Sequence, residues 1–328
     1  MIRFGVLGCG RIGQVHARSL HHIRGANVVA VSDALPQAAE ALAEEVGAEL
    51  RETEAIVGAA DIDAIVICTP TDTHADLIEA AAAVGTPVFC EKPIDLDVAR
   101  VRACLAAVDA AGIPLMIGFQ RRFDPHFRAL RAALRGGQIG AVEQIAITSR
   151  DPAPPPYGYI ERSGGLFRDM TIHDFDMARF LLDAPIRRVM ATGAALVDAQ
   201  IGVLGDYDTA TVVMEAESGA QITITNSRRA RYGYDQRVEV LGSNGMLQVG
   251  NQLQANVTTA GADGFAQPPL LDFFMDRYAA AYTAEMEAFM ANIADGTPPE
   301  VTGADGLAAL ELADAAALSA RDGRWVAL

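Results

Sequence analysis

The sequence predicts an α/β fold in two parts. Residues 1–120 read as a doubly wound, parallel-sheet Rossmann domain, and residues 121–328 as an α+β domain with a large, mostly antiparallel open sheet. Three observations predict this. Short β-branched runs alternate with alanine-rich helical stretches over the first 120 residues, and strands separated by helices of that length build βαβ units. After Phe119 the pattern changes to strand-like alternation broken by tight turn signals, as in antiparallel pairing. A length of 328 residues also corresponds to two domains at roughly 150 residues each.

The first-domain strands read as Ile2–Leu7, Val28–Ser32, Ala64–Cys68, Val88–Cys90 and Leu115–Gly118. Helices read as Arg11–His22, Pro36–Val46, His74–Val84 and Leu96–Ala111. Pro36 suits a first helical turn, and Gly47, Gly85 and Gly112 suit helix ends. Beyond the basic, aromatic stretch Gln120–Phe127, a helix ends near Gly136 and a strand runs Val142–Arg150. A proline-rich loop, Asp151–Tyr157, and Ser163-Gly164-Gly165 precede a helix to about Leu182. Strands fill Arg187–Thr259, with turns at Glu217-Ser218-Gly219 and Gly242-Ser243-Asn244-Gly245. Helices over Asp272–Ala294 and Ala304–Ala320 close the chain and can pack back on the first domain.

Composition excludes several classes of partner. The 26 basic and 42 acidic side chains leave a net charge of −16. That opposes nucleic acid, where Lys and Arg must neutralise phosphates, and it opposes anionic membrane surfaces. No apolar run approaches the length of a membrane span. The chain opens directly on a strand, without a signal-peptide layout. Cys9, Cys68, Cys90 and Cys104 form no CxxC pair and sit mostly in apolar runs. They read as buried thiols in a reducing compartment, so the expected location is cytoplasmic.

Gly8-Cys9-Gly10-Arg11-Ile12-Gly13 is a GxGxxG match that follows the first strand and opens the first helix. In that context Gly8 permits the tight turn, Gly10 lets the backbone approach a pyrophosphate, and Gly13 lets helix and strand pack closely. The helix N-terminus then offers amides to the phosphates. Asp33 ends the second strand, 20 residues past Gly13. An acid there hydrogen-bonds ribose hydroxyls and repels a 2′-phosphate. Ala34, Leu35 and Pro36 supply no arginine to bind one, so NAD is expected over NADP. Thr69 and Pro70 follow the third strand at the edge where such sheets bind ligands.

Lys92, in Glu91-Lys92-Pro93, is the one lysine among the 26 basic residues. Arginine cannot release its proton, but lysine can. The lone lysine therefore reads either as residue of a compositional bias or as a position where arginine fails. Asp169 and His173 lie four apart on the expected helix and share a face. A carboxylate beside an imidazole suits a general base. The same spacing also serves a core histidine or a structural pair. No cysteine or second histidine lies near to complete a metal site. Arg121-Arg122, Arg150-Asp151-Pro152 and Tyr232-Gly233-Tyr234-Asp235 could each line a polyol pocket or sit on the surface. The run Arg228–Arg231 reads as an ion-pairing or subunit-contact element in so acidic a chain.

Together these motifs resemble the Gfo/Idh/MocA-type family of glucose–fructose oxidoreductases and inositol dehydrogenases. The resemblance runs over essentially the whole chain. GCGRIG, CEKP at Cys90–Pro93 and GGLFRDMTIHDFDMARFLL at Gly164–Leu182 carry it. RRFDPHF at Arg121–Phe127, SRDPAPPP at Ser149–Pro156 and YGYDQRVEVLGSNGML at Tyr232–Leu247 are similar to the inositol 2-dehydrogenase branch. The resemblance implies NAD-linked oxidation of a ring hydroxyl of an inositol to the inosose, and a homotetramer built on the open sheet. It implies a catalytic lysine, aspartate and histidine at Lys92, Asp169 and His173. It implies polyol contacts at Arg122, Asp151, Thr171, Tyr232, Tyr234 and Tyr282. Some myo-inositol enzymes of that branch carry His and Asn around the second-domain arginine, where this chain has Ser149 and Asp151. The isomer (myo-, scyllo- or D-chiro-inositol) and a pyranose such as glucose thus stay open. So do two other classes, a redox glycosidase that keeps its NAD and a non-catalytic NAD-binding sensor.

Overall fold

The N-terminal strands are apolar on both faces, which suits only a sheet covered by helices on both sides. The computed structural model describes residues 1–328. Its N-terminal part runs β1 (Ile2–Leu7), α1 (Arg11–His22), β2 (Ala26–Ser32), α2 (Pro36–Val46), β3 (Glu49–Leu50) and α3 (Thr53–Ile56). It continues β4 (Ala64–Ile67), α4 (His74–Ala83), β5 (Val88–Glu91), α5 (Val98–Ala111) and β6 (Leu115–Gly118). All six strands are parallel, in the order β3-β2-β1-β4-β5-β6. Val6, Val66, Ile67 and Phe89 are fully buried. The order reverses between β1 and β4, so the loops after these strands flank the crevice where such sheets bind ligands.

Elements then follow as α6 (Pro125–Arg135), β7 (Val142–Arg150), α7 (Tyr157–Ile160), a π-helical turn (Phe167–Thr171) and α8 (Ile172–Leu182). Next come β8 (Ile186–Ala194), α9 (Ala199–Val203), β9 (Thr209–Ala216), β10 (Gln221–Ser227), β11 (Asp235–Gly242) and β12 (Gly245–Val249). A hairpin, β13 (Thr259–Gly261) and β14 (Gly264–Ala266), precedes α10 (Phe274–Arg277), α11 (Ala279–Asp295), α12 (Gly303–Asp322) and β15 (Val326–Ala327). The large sheet has seven strands in the order β12-β11-β7-β10-β9-β8-β15. Only β7 and β10 are parallel neighbours. Alternate residues such as Ile145, Ile147, Ile222, Ile224, Val238 and Val240 are buried on one face, and α8 packs on β7.

The chain groups into two units, Met1–Phe123 with Ala280–Leu310, and Asp124–Ala279 with Glu311–Leu328. In the first, α11 places Phe289 against Phe4 and Phe89, with ring centroids 6.3 and 5.9 Å apart.

Three expected helices differ in the structure. The helix from Leu96 starts at Val98, because the Asp97 side chain accepts the amides of Ala99 and Arg100 and caps it. The helix over Asp272–Ala294 is broken at Tyr278, which leaves helical geometry at φ −113°. The helix over Gly165–Leu182 begins as a π-turn, not as continuous α-helix. No helix is long and apolar enough to cross a membrane.

Candidate active site

The candidate residues divide between the two units. In the first, Gly8 adopts φ +94°, and a Cβ there would lie 2.5 Å from the Cys68 carbonyl. A Cβ on Gly13 would lie 1.9 Å from the Gly8 oxygen. Gly10 has nothing within 4 Å of its would-be Cβ, so its backbone faces open space. No side chain caps α1, which leaves its first-turn amides for a ligand. Arg11 is exposed and Ile12 half-buried at that helix start. Asp33 accepts the Cys9 amide at 2.6 Å and the Leu35 amide at 2.8 Å, which fixes a carboxylate beside the glycine turn. This cradle and carboxylate fit the pyrophosphate and adenosine ribose of NAD. Burial, then the Asp33 charge, pushes the Cys9 thiol up to about 12. All four cysteines are buried and free.

The loops after β4 and β5 are tied together by His74. Its buried ring lies 2.7 Å from the Thr69 carbonyl oxygen and 2.8 Å from that of Pro93. Thr69 and Thr73 share a hydroxyl contact of 2.7 Å. Lys92 is half-buried, and its amide lies 3.3 Å from the Glu91 carboxylate. Glu91 in turn meets His16 Nε2 at 2.7 Å. Tyr282 lies edge-on to the His16 ring at 5.6 Å and is buried. Arg122 is buried, with Nη2 donating to Asp305 at 3.0 Å. Asp305 also accepts the Thr302 amide at 2.9 Å and so caps α12. Burial raises the Asp305 carboxyl, but Arg122 and the Thr302 contacts outweigh this and leave it low.

In the second unit, Asp169 belongs to the π-turn and His173 to the first turn of α8. The helix that carries both residues is therefore widened over Phe167–Thr171 instead of running as regular α-helix from Asp169 to His173. Such turns are frequent at functional sites. The Asp169 carboxylate accepts the Tyr159 hydroxyl on Oδ1 at 2.7 Å and Arg228 Nη2 on Oδ2 at 3.2 Å. The Arg228 side chain is 1% exposed and that of Asp169 13%.

Beneath the turn lies a row of polar residues. Register places Ser149, Asn226 and Gln236 side by side on β7, β10 and β11. Each occupies the inward position that an isoleucine or valine holds two residues along the same strand. Ser149 Oγ donates to Asp174 Oδ1 at 2.5 Å, and Asn226 Nδ2 donates to Asp174 Oδ2 at 2.7 Å. Thr171 Oγ1 donates to Asn226 Oδ1 at 2.7 Å. Ser149 Oγ also lies 2.8 Å from the atom placed as Gln236 Oε1, while Gln236 Nε2 is buried without an acceptor. Rotating that amide end for end lets Nε2 donate to the Ser149 oxygen, as one hydroxyl proton cannot serve two acceptors. Thr171 thus faces the sheet, not the outside.

Tyr234 is buried edge-on against Tyr278 and Phe273, at 6.1 and 6.4 Å. Tyr232 is 51% exposed. Its hydroxyl donates to Asp235 at 2.6 Å and accepts from Arg150 at 2.8 Å. Asp235 would be raised by burial, but Arg237, the Tyr232 hydroxyl and Asn251 hold it below the usual carboxylate range. Asp151 follows β7, its amide bonded to the Ser227 carbonyl at 2.9 Å. No group of three His, Cys, Asp or Glu is arranged to hold a metal.

Tyr159, Asp174, Asn226 and Gln236 were not singled out by sequence. The last two had a signal, a polar residue ending an apolar inward row. The run Arg228–Arg231 reads in sequence as an ion-pairing element, but spacing does not name Asp169 as the partner of Arg228.

Residues 2–119 match the model of the oxidoreductase family with NAD-binding Rossmann fold, and residues 127–248 match the GFO/IDH/MocA C-terminal domain. The chain is 57% identical over 327 residues to an inositol 2-dehydrogenase of Rhizobium meliloti, covering 100% of this chain and 99% of that one. A crystal structure of a myo-inositol dehydrogenase from Corynebacterium glutamicum superposes with a TM-score of 0.96 at 44% identity, covering 100% and 99% of the two chains. One of a scyllo-inositol dehydrogenase from Lactobacillus casei with bound NAD(H) and scyllo-inositol gives 0.93 at 29% identity, again covering 100% and 99%. On this evidence the chain belongs to the GFO/IDH/MocA family of NAD-binding oxidoreductases.

Proposed function

We propose that this protein oxidises one ring hydroxyl of an inositol (myo-inositol or a close isomer such as scyllo-inositol) to the inosose, with NAD as oxidant. The observation that carries the reading is the full-length likeness to a protein named inositol 2-dehydrogenase, in a chain that also holds Lys92, Asp169 and His173.

NAD, when bound, supplies the hydride acceptor. Gly8, Gly10, Arg11, Ile12 and Gly13 hold its pyrophosphate, and Asp33 its ribose. Thr69, Pro70, Glu91 and Lys92 would also contact the bound cofactor. His173 takes the hydroxyl proton as general base. Asp169 orients His173 and stabilises its charged form. Lys92 donates a hydrogen bond to the reacting oxygen and steadies the negative charge that builds there. Asp151 and Tyr232 contact the other hydroxyls. Arg122, Thr171, Tyr234 and Tyr282, all buried, are the remaining polyol-contacting residues of this reading. The reading includes a homotetramer joined through the outward face of the seven-stranded sheet, and a cytoplasmic location in keeping with four free thiols.

A panel of myo-, scyllo- and D-chiro-inositol and glucose, each with NAD, tests this by nicotinamide absorbance. NADH from at least one inositol is expected. NADH from glucose alone would make the protein a pyranose dehydrogenase. Cleavage of a glycoside without net NADH would make it a redox glycosidase, and no turnover at all a sensor.

A further inference from the structure

His74 opens α4 and is 1% exposed. Its Nε2 lies 2.7 Å from the Thr69 carbonyl oxygen, and its Nδ1 lies 2.8 Å from that of Pro93. Both oxygens belong to the backbone and can only accept. A neutral imidazole donates from one nitrogen and presents a lone pair on the other. At either position that lone pair would face an oxygen lone pair at hydrogen-bond distance, away from water. Turning the ring over would set carbon against both oxygens and lose both bonds. A ring protonated on both nitrogens fits the geometry with two donated bonds, and its positive charge strengthens each of them. The buried ring of His16 differs, with Nε2 on the Glu91 carboxylate at 2.7 Å and Nδ1 without a partner.

No carboxylate hydrogen-bonds the His74 ring. Arg100 of α5 is paired with Asp76 and Glu79 of α4, at 2.6 and 2.9 Å. The Cys104 thiol of α5 donates to the Ala75 carbonyl at 3.7 Å. On β5, Cys90 is buried and Glu91 meets His16. Burial and the N-terminal end of α4 both oppose a cation, so the two carbonyl oxygens are what hold it. They come from separate loops. Thr69 follows β4, and Pro93 directly follows Lys92.

We propose that His74 is a positioning residue that, as an imidazolium, donates to both loops at once and so fixes the segment that carries Lys92. The doubly protonated ring stands on geometry alone. Its kinetic consequence rests on the reading of Lys92 as a partner of the reacting oxygen.

Nitrogen-15 NMR of protein labelled in its six histidines tests the ring directly. The His74 signals are assigned by replacing the other five histidines one at a time, which leaves His74 itself intact. Both ring nitrogens of His74 are expected to carry a proton near neutral pH. A ring nitrogen without a proton overturns the proposal. His74→Phe keeps a ring and removes both donors. Amide hydrogen exchange over residues 69–73 and 91–95 should quicken in the folded variant, and kcat should fall by about tenfold or more. Unchanged exchange in either loop overturns the tie, and unchanged kcat overturns the positioning of Lys92. If His74→Phe does not fold, the nitrogen signals of the wild type decide alone. Neither the signals nor the exchange needs turnover, so an inactive wild type would sink the dehydrogenase reading without touching them.

Discussion

Asn226 donates its side-chain amide to Asp174 at 2.7 Å, and so ties the inward row of the sheet to the helix that carries His173. Both residues are almost wholly buried. The bond exists because β10 ends its apolar row on a polar residue directly under α8. Asp174 takes a second donor from Ser149 on β7, so two parallel strands hold one carboxylate.

Replacing that carboxylate tests its role as an anchor. Asp174→Asn presents an amide to one of two donors and leaves that donor unmet in the interior. The expected cost is about 1–3 kcal/mol, read from the urea midpoint. Stability equal to wild type would show that the row does not fasten the helix.

Cofactor choice is predicted to hang on Asp33. Its position is fixed by the amides of Cys9 and Leu35, and the residues that follow it, Ala34, Leu35 and Pro36, include no arginine. If Asp33 binds the ribose, Asp33→Ala removes a charged hydrogen bond to it and the repulsion of a 2′-phosphate. The ratio of kcat/KM for NAD over NADP should fall by about tenfold or more. An unchanged ratio would refute the ribose contact.

Glu285 predicts a pH dependence of stability. It is fully buried on α11, with neither oxygen hydrogen-bonded. Burial first, and then the like charge of Glu91, raises its carboxyl well above the usual range. A carboxyl raised in the folded state holds its proton there while the unfolded chain releases it. Its contribution is therefore fully present below the ordinary carboxylate range and is lost as pH rises toward the folded value. Glu285→Gln removes that slope. Thermal melts should show the variant gaining on wild type as pH rises above the ordinary carboxylate range. Parallel curves would mean that Glu285 is not held neutral.

Much of this was legible in sequence, and the exceptions have physical causes. Strand β1, helices α1 and α2, and strands β6 and β7 fall on the residues expected from periodicity. Both turn signals also lie between paired strands, β9 with β10 and β11 with β12. The π-turn was hidden because Phe167–Thr171 carries no residue that an α-helix refuses. Its widening comes from tertiary contacts, with Thr171 drawn to Asn226 and Asp169 to Arg228. These pairs are 55 and 59 residues apart, so no local pattern announces them. Strands β3 and β15 are two residues each, too short for any period. The Thr171 hydroxyl is engaged with Asn226 of the sheet, a contact that no local spacing announces.

Lys92 is the one lysine in the chain, and Lys92→Arg separates chemistry from compositional bias. The change keeps the positive charge but alters its shape and abolishes proton exchange. The turnover number should fall by about 10²–10³-fold if Lys92 serves the reacting oxygen. Activity close to wild type would mean that the lone lysine carries no mechanistic weight.

Hydride transfer from a ring carbon of an inositol is tested most directly with labelled substrate. An inositol deuterated at the carbon that is oxidised should deliver its label to the nicotinamide ring, recovered as deuterated NADH in the same amount as inosose. Label found in water instead, or inosose formed without reduced nicotinamide, would contradict it.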